Sequence, residues 1–147
     1  MYKIGFLFMM SLAFCQTPPE KGRLKFIKAI QLTIPEPSGL TFAHGCLYTV
    51  SDDKKKVYKI SLEGQVLEEY KIGVSGFEGI TYNATTDIFY LVNEEERKLY
   101  EFSLSEGVVN TEKIIGAQKG GSNKGLEGVC FNSKNNRLYL VNEYKPK

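Results

Sequence analysis

Apolar residues in this chain fall into short runs that recur in sets. The first set is Ser38-Gly39-Leu40-Thr41-Phe42, Leu47-Tyr48-Thr49-Val50-Ser51-Asp52 and Val57-Tyr58-Lys59-Ile60-Ser61-Leu62. The second is Glu78-Gly79-Ile80-Thr81-Tyr82, Ile88-Phe89-Tyr90-Leu91-Val92-Asn93-Glu94 and Leu99-Tyr100-Glu101-Phe102-Ser103-Leu104. A third begins with Glu127-Gly128-Val129-Cys130-Phe131 and Leu138-Tyr139-Leu140-Val141-Asn142-Glu143. Gly39 to Gly79 is 40 residues and Gly79 to Gly128 is 49, within or near the ~40–50 period of propeller blades.

Residue type makes these units strands rather than helix pairs. The runs are short, rich in Val, Ile, Leu, Tyr and Phe, and bounded by Asn, Asp, Gly and Ser. Glu63-Gly64 and Glu106-Gly107 mark turns into fourth strands, Val66 to Ile72 and Val108 to Ile115. The second strands are nearly continuous apolar runs, as burial on both faces requires. Third strands alternate, with Tyr58, Ile60 and Leu62 on one face and Lys59 and Ser61 on the other. Fourth strands carry Glu68, Glu69, Lys71, Glu112 and Lys113 and belong outside. That gradient from buried to wet predicts an all-β fold: a β-propeller of four-stranded antiparallel blades, with about two and a half blades present. Leu24 to Ile34 is expected as an outer strand of a blade completed elsewhere.

Composition sharpens this picture. The chain has 147 residues, 42% hydrophobic and 24% charged, and a formal net charge of +2. This excludes a disordered chain or a multi-span membrane protein, and gives no reason to expect nucleic acid. A closed propeller needs ~4–8 blades, so missing blades or another chain are expected to complete the fold.

The N-terminus reads as a targeting segment. Lys3 precedes an apolar run from Ile4 to Phe14, then the polar Gln16 to Glu20, the layout of an export signal and about half the ~20 residues that cross a bilayer. Leu12-Ala13-Phe14-Cys15 resembles a lipobox, in which Cys15 would be lipidated. Phe14 departs from the small residue expected there, and ordinary cleavage after Cys15 is the competing reading. The division expected is a signal peptide over 1–15, a tether over 16–23 and a partial propeller over 24–147. Localisation follows as exported, in the cell envelope, either membrane-anchored or periplasmic. Cys46 and Cys130 lie in apolar runs without metal or redox spacing and are expected as buried free thiols.

At Glu36-Pro37-Ser38-Gly39-Leu40-Thr41, Phe77-Glu78-Gly79-Ile80 and Asn123-Lys124-Gly125-Leu126-Glu127-Gly128-Val129, the sequence resembles the SdiA-regulated family of exported bacterial β-propellers. Leu140-Val141-Asn142-Glu143-Tyr144-Lys145-Pro146 extends the likeness, which runs from about Leu24 to Pro146. The group includes calcium-regulated propeller proteins of the cell envelope. Glu-Gly before an apolar residue also occurs in phytase-like esterase propellers and NHL-type repeats. Family members continue into further blades, so a truncated member is implied, and the resemblance implies no settled reaction.

The repeated acids are the candidate chemistry. In a blade the start of the first strand meets the end of the second, which predicts pairs Glu78 with Glu94 and Glu127 with Glu143. Asp52 and Glu36 are the first blade's counterparts. Crowded carboxylates take up protons or bind a cation. Calcium accepts 6–8 oxygen ligands in loose geometry, including the amide oxygens of Asn93 and Asn142. A purely structural role, with each acid accepting backbone hydrogen bonds or facing water, is the competing reading.

Other chemistry is weaker. His44 is the sole histidine, in a turn beside Gly45, and no Ser/His/Asp triad is expected. Gly120-Gly121-Ser122-Asn123 reads as a flexible loop, and Lys54-Lys55-Lys56 as a solvated hairpin tip. The function expected is an exported, membrane-anchored module of the cell envelope that binds a ligand or protein and responds to calcium, rather than an enzyme. A calcium-dependent phytase-like phosphoesterase and a non-functional fragment are the alternatives.

Overall fold

The structure is a computed structural model, and it describes residues 25–114 and 125–143. The segments over 1–24, 115–124 and 144–147 lie outside it, and with them the export signal, Cys15, the tether and most of the glycine-rich loop. Among the described residues there are ten strands and no helix. β1 (Pro37–Ala43), β2 (Cys46–Ser51), β3 (Lys56–Ile60) and β4 (Val66–Lys71) form one sheet in that order. β5 (Phe77–Asn83), β6 (Ile88–Asn93), β7 (Lys98–Ser103) and β8 (Gly107–Lys113) repeat it. β9 (Leu126–Asn132) and β10 (Arg137–Asn142) form a two-stranded third sheet. Every pairing is antiparallel.

Turn chemistry sets these hairpins. β1 turns into β2 through His44 and Gly45, both at positive φ (48° and 73°), the two-residue turn that matches the twist of paired strands. Blades 2 and 3 use longer turns with Asp87 and Asn136 in the same left-handed region, which short polar side chains tolerate.

Blades pack face to face, with β1 against β5 and β5 against β9. Cross-strand partners share a face, so the register sorts each blade's side chains into a trailing face toward the next blade and a leading face toward the previous one. Tyr48, Val50 and Val57 on the trailing face of blade 1 meet Ile80, Phe89, Leu91 and Phe102 on the leading face of blade 2. The Tyr48 and Phe89 rings lie 4.7 Å apart. All of these are 0–3% exposed, and full burial of each is worth about 1.5–3 kcal/mol. Between blades 2 and 3, Tyr90 stacks on Phe131 at 6.1 Å and Phe131 N donates to Thr81 Oγ1 at 3.1 Å.

The inner strands approach until backbone meets backbone. A Cβ on Gly39 would lie 2.9 Å from the Gly79 Cα, and one on Gly79 would lie 2.9 Å from the Gly128 Cα. Glycine recurs at this step because nothing larger fits between the strands.

The structure corrects three expectations. Residues 25–33 form no strand; Leu32 and Ile34 pack instead on Leu47, Tyr58, Ile60 and Val66 of blade 1. They bury apolar surface against a sheet face, and a strand requires a partner edge for its backbone groups. Cys130 is exposed and Cys46 half-buried, both free thiols. Cys130 pairs with Tyr139 on the trailing face of blade 3, which no described residue covers. Lys56 also departs from a solvated tip: it opens β3 and pairs with Glu69 at 2.5 Å.

Candidate functional site

Glu78 and Glu127 owe their position to β-bulges. Phe77 pairs with Asn93 and Gly79 with Val92, leaving Glu78 without a cross-strand partner. Leu126 pairs with Asn142 and Gly128 with Val141, leaving Glu127 likewise. A bulge bends its strand and re-aims the extra side chain.

A line of hydrogen bonds ties the acid ends of the blades together. Asp52 N donates to Glu36 O (3.2 Å), Gly76 N to Asp52 O (2.9 Å) and Glu94 N to Gly76 O (2.9 Å). At the next step a side chain replaces the backbone: Gly125 N donates to Glu94 Oε1 at 3.1 Å, and Glu143 N donates to Gly125 O at 3.0 Å. Glu94 is thereby anchored while only 7% exposed.

One carboxylate oxygen from each of Glu94, Glu127 and Glu143 lies within 4.8 Å of the other two. Burial holds the Glu127 carboxyl above its ordinary pKa, reinforced by Glu94, then Glu143, then Asp52. Burial also raises Glu78; a hydrogen bond from Ser38 opposes the shift, and Asp52, Glu127 and Glu94 add to it. Glu127 thus meets Glu143 of its own blade, as the repeat predicts, together with Glu94 of the preceding blade. Glu78 feels Asp52 of the preceding blade as well as Glu127 and Glu94.

The remaining expected residues separate by role. Asn93 is 1% exposed, and its Oδ1 accepts from Glu96 N at 2.8 Å while its Nδ2 donates to Ser75 O at 2.6 Å. Its amide is committed to a turn. Glu36 is exposed, at positive φ (44°), and outside the three-carboxylate group. Ser38, two residues later, stands where Glu78 stands in blade 2. Asn142 is half-buried at the end of β10. Aligning Ser38-Gly39 with Glu78-Gly79 is the signal that identifies Ser38 rather than Glu36.

At the opposite end of the strands, His44 Nε2 donates to Asp87 Oδ1 at 2.8 Å, and the Tyr82 hydroxyl donates to the same oxygen at 2.7 Å. Burial and then Asp87 push the Tyr82 hydroxyl up to about 12, so it stays protonated. His44 and Asp87 are exposed and Tyr82 is half-buried, and the trio ties the inner turns of blades 1 and 2 together.

Three fanned antiparallel sheets with glycines at their inner contacts define a β-propeller module. The SdiA-regulated family profile matches residues 22–147, and the chain belongs to that family. Solved structures agree on the fold. Glutaminyl cyclase from Myxococcus xanthus is similar at a TM-score of 0.63 and 15% identity, over 75% of this chain and 52% of that one. Virginiamycin B lyase from Staphylococcus aureus is similar at 0.51 and 18%, over 71% and 40%. The nidogen/laminin complex contains a chain similar at 0.55 and 16%, over 77% and 43%. The likeness thus spans about half or less of each of these chains. No curated protein matches.

Proposed function

We propose that this chain is an exported, membrane-anchored propeller module of the cell envelope that binds a ligand or partner protein at its acid end under the control of calcium. The observation that carries the reading is the convergence of Glu94, Glu127 and Glu143 oxygens within 4.8 Å, with raised carboxyl pKa at Glu127 and Glu78. The donor set is all oxygen, which suits a hard cation of flexible coordination number. Glu94, fixed by Gly125 N, is the rigid ligand, and Glu127 and Glu143 close on the ion from blade 3. Water completes the shell. Binding relieves like-charge repulsion and ties the end of blade 2 to both strands of blade 3.

Lysines elsewhere already answer other acids, Lys59 with Glu68 and Lys98 with Glu96, leaving the acid end as the place where an added cation gains most. Calorimetric titration of the chain with calcium tests this. One site with measurable heat is expected, with loss of that heat in Glu127→Gln and Glu143→Gln. Absence of both heat and thermal shift in the unmodified chain would refute it. Anchoring is read from the Leu12 to Cys15 segment, and Cys15→Ser is expected to move the protein out of the membrane fraction.

A further inference from the structure

We propose that His44 and Asp87 form a proton-operated clasp between blades 1 and 2, closed when the imidazole is charged and slackened when it is neutral. His44 Nε2 lies 2.8 Å from Asp87 Oδ1, across the blade junction and 43 residues away in the chain. The described residues bond this ring through Nε2 alone. Nδ1 can therefore take a proton from water, and uptake there turns a neutral hydrogen bond into an ion pair with its donor already in place. A hydrogen bond between charged groups is roughly twice as strong as a neutral one.

Asp87 is the half of constant charge. The Tyr82 hydroxyl donates to the same carboxylate oxygen at 2.7 Å, and this bond, ahead of the one from His44, holds the Asp87 carboxyl below its ordinary range. It stays ionised over the interval in which a histidine changes charge. Turn geometry fixes where the two groups stand. His44 and Gly45 adopt positive φ between β1 and β2, and Asp87 does so (57°) between β5 and β6. The Tyr82 hydroxyl also stands 3.2 Å from Nε2, with its ring edge-on to the imidazole at 5.2 Å. Around the same junction the Tyr48 hydroxyl feels Lys59, Cys46 and Glu68 together with Asp87. Lys59 and Glu68 answer each other at 2.9 Å, so among the described residues Asp87 is the acid that pairs with His44.

The trio departs from the repeat, which separates it from the parts that blade packing requires. Gly39, Gly79 and Gly128 recur because the inner strands meet there. Aligned on those glycines, Tyr82 has Phe131 as its counterpart in blade 3 and Asp87 has Asn136. Neither the hydroxyl nor the carboxylate returns, and Phe131 stacks on Tyr90 instead. His44 is the sole histidine of the chain, so the clasp is its one imidazole switch. The His44 and Asp87 side chains are 42% and 68% exposed. Solvent screens such a pair, and its effect is therefore read as a difference between variants at fixed pH.

The test is thermal unfolding of the full chain in detergent without calcium, at pH 5.5 and pH 8.5, for the parent, His44→Gln, Asp87→Asn and the double variant. Glutamine keeps an N–H donor and lacks the charge. His44→Gln is expected to lower the midpoint by roughly 1–3 °C at pH 5.5 and to leave it unchanged at pH 8.5. The direction follows from the partner: an ion pair gained on protonation contributes below the ordinary histidine range and is lost as pH rises through it. In the Asp87→Asn background, adding His44→Gln should change nothing further at either pH. Carboxylates at the acid end titrate alike in parent and variant and cancel from each difference. A step of equal size at both pH values overturns the proposal, as does the absence of a step at pH 5.5 or a step that survives Asp87→Asn. None of these readouts involves calcium, so the clasp and the cation site fail separately.

Discussion

Gly79→Ala and Gly128→Ala make the same chemical change at equivalent positions of adjacent blades, and the structure assigns them opposite signs. An alanine Cβ at position 79 would stand 2.9 Å from Gly128 Cα, 2.9 Å from Val92 Cγ2 and 3.0 Å from Val129 N. Two of these atoms are backbone, so blade 3 must retreat by about half an ångström. A gap of that size forfeits roughly a quarter of the dispersion attraction across the contact, and it stretches the Phe131 N to Thr81 and Gly125 N to Glu94 hydrogen bonds, both 3.1 Å at rest. Overpacking of this kind costs about 1–3 kcal/mol, offset by ~0.5–1 kcal/mol for removing a strand-interior glycine. A net loss of about 1–2 kcal/mol follows. At position 128 the offsetting gain stands alone, because the nearest atom among the described residues is 4.0 Å away. Thermal and urea unfolding should show Gly79→Ala lowered by roughly 4 °C or more and Gly128→Ala unchanged or raised. Equal destabilisation by both, or a more stable Gly79→Ala, would refute the stacking of inner strands as the reason for the glycines.

Three further outcomes are expected. Because the folded pKa of Glu78 and Glu127 is raised, their contribution is fully present below the ordinary carboxylate pKa and is lost as pH rises through the raised values. Glu68 and Glu96 are lowered, chiefly by hydrogen bonds from Tyr70 and Tyr100, and their contribution is lost only as pH falls below the ordinary value. Melting temperature without calcium should therefore rise as pH is brought from 7 toward about 4.5, and Glu127→Gln should flatten that rise; a fall over the same interval would contradict the acid cluster. Asn93→Ala removes the partners of Ser75 O and Glu96 N and should cost about 2–3 kcal/mol in urea unfolding while calcium heat per folded molecule persists. Tyr48→Phe deletes a fully buried hydroxyl that meets no hydrogen-bond partner among the described residues, so a gain of about 1 kcal/mol in the same assay is expected.

Much of the fold was legible in the chain because blade strands announce themselves locally. Alternation of Tyr58, Ile60 and Leu62, the apolar run from Phe89 to Val92, and Gly at the head of each set are consequences of neighbours that recur every blade. Leu24 to Ile34 misled for the complementary reason: its apolar residues are real, but whether they enter a ladder depends on an edge the described chain does not supply. Cys130 misled in the same way, since its run is apolar and the blade that would bury it is absent among the described residues.

The acid end divides along that line. Spacing of Glu78, Glu94, Glu127 and Glu143 in the sequence was enough to bring acids to one end of the blades, because strand direction alternates and hairpins return the chain. Which carboxylates meet was decided by the bulges at Glu78 and Glu127 and by the fan angle between blades, both products of packing. These brought Glu94 of blade 2 beside Glu127 and Glu143 of blade 3 and left Glu36 outside the cluster. The commitment of Asn93 to a turn rests on hydrogen bonds to Ser75 and Glu96 that no repeat pattern encodes. Sequence determined the strand, its faces and its end chemistry, because these depend on neighbours one or two residues away. Tertiary structure decided which groups approach within a few ångströms, because that depends on how one sheet settles against the next.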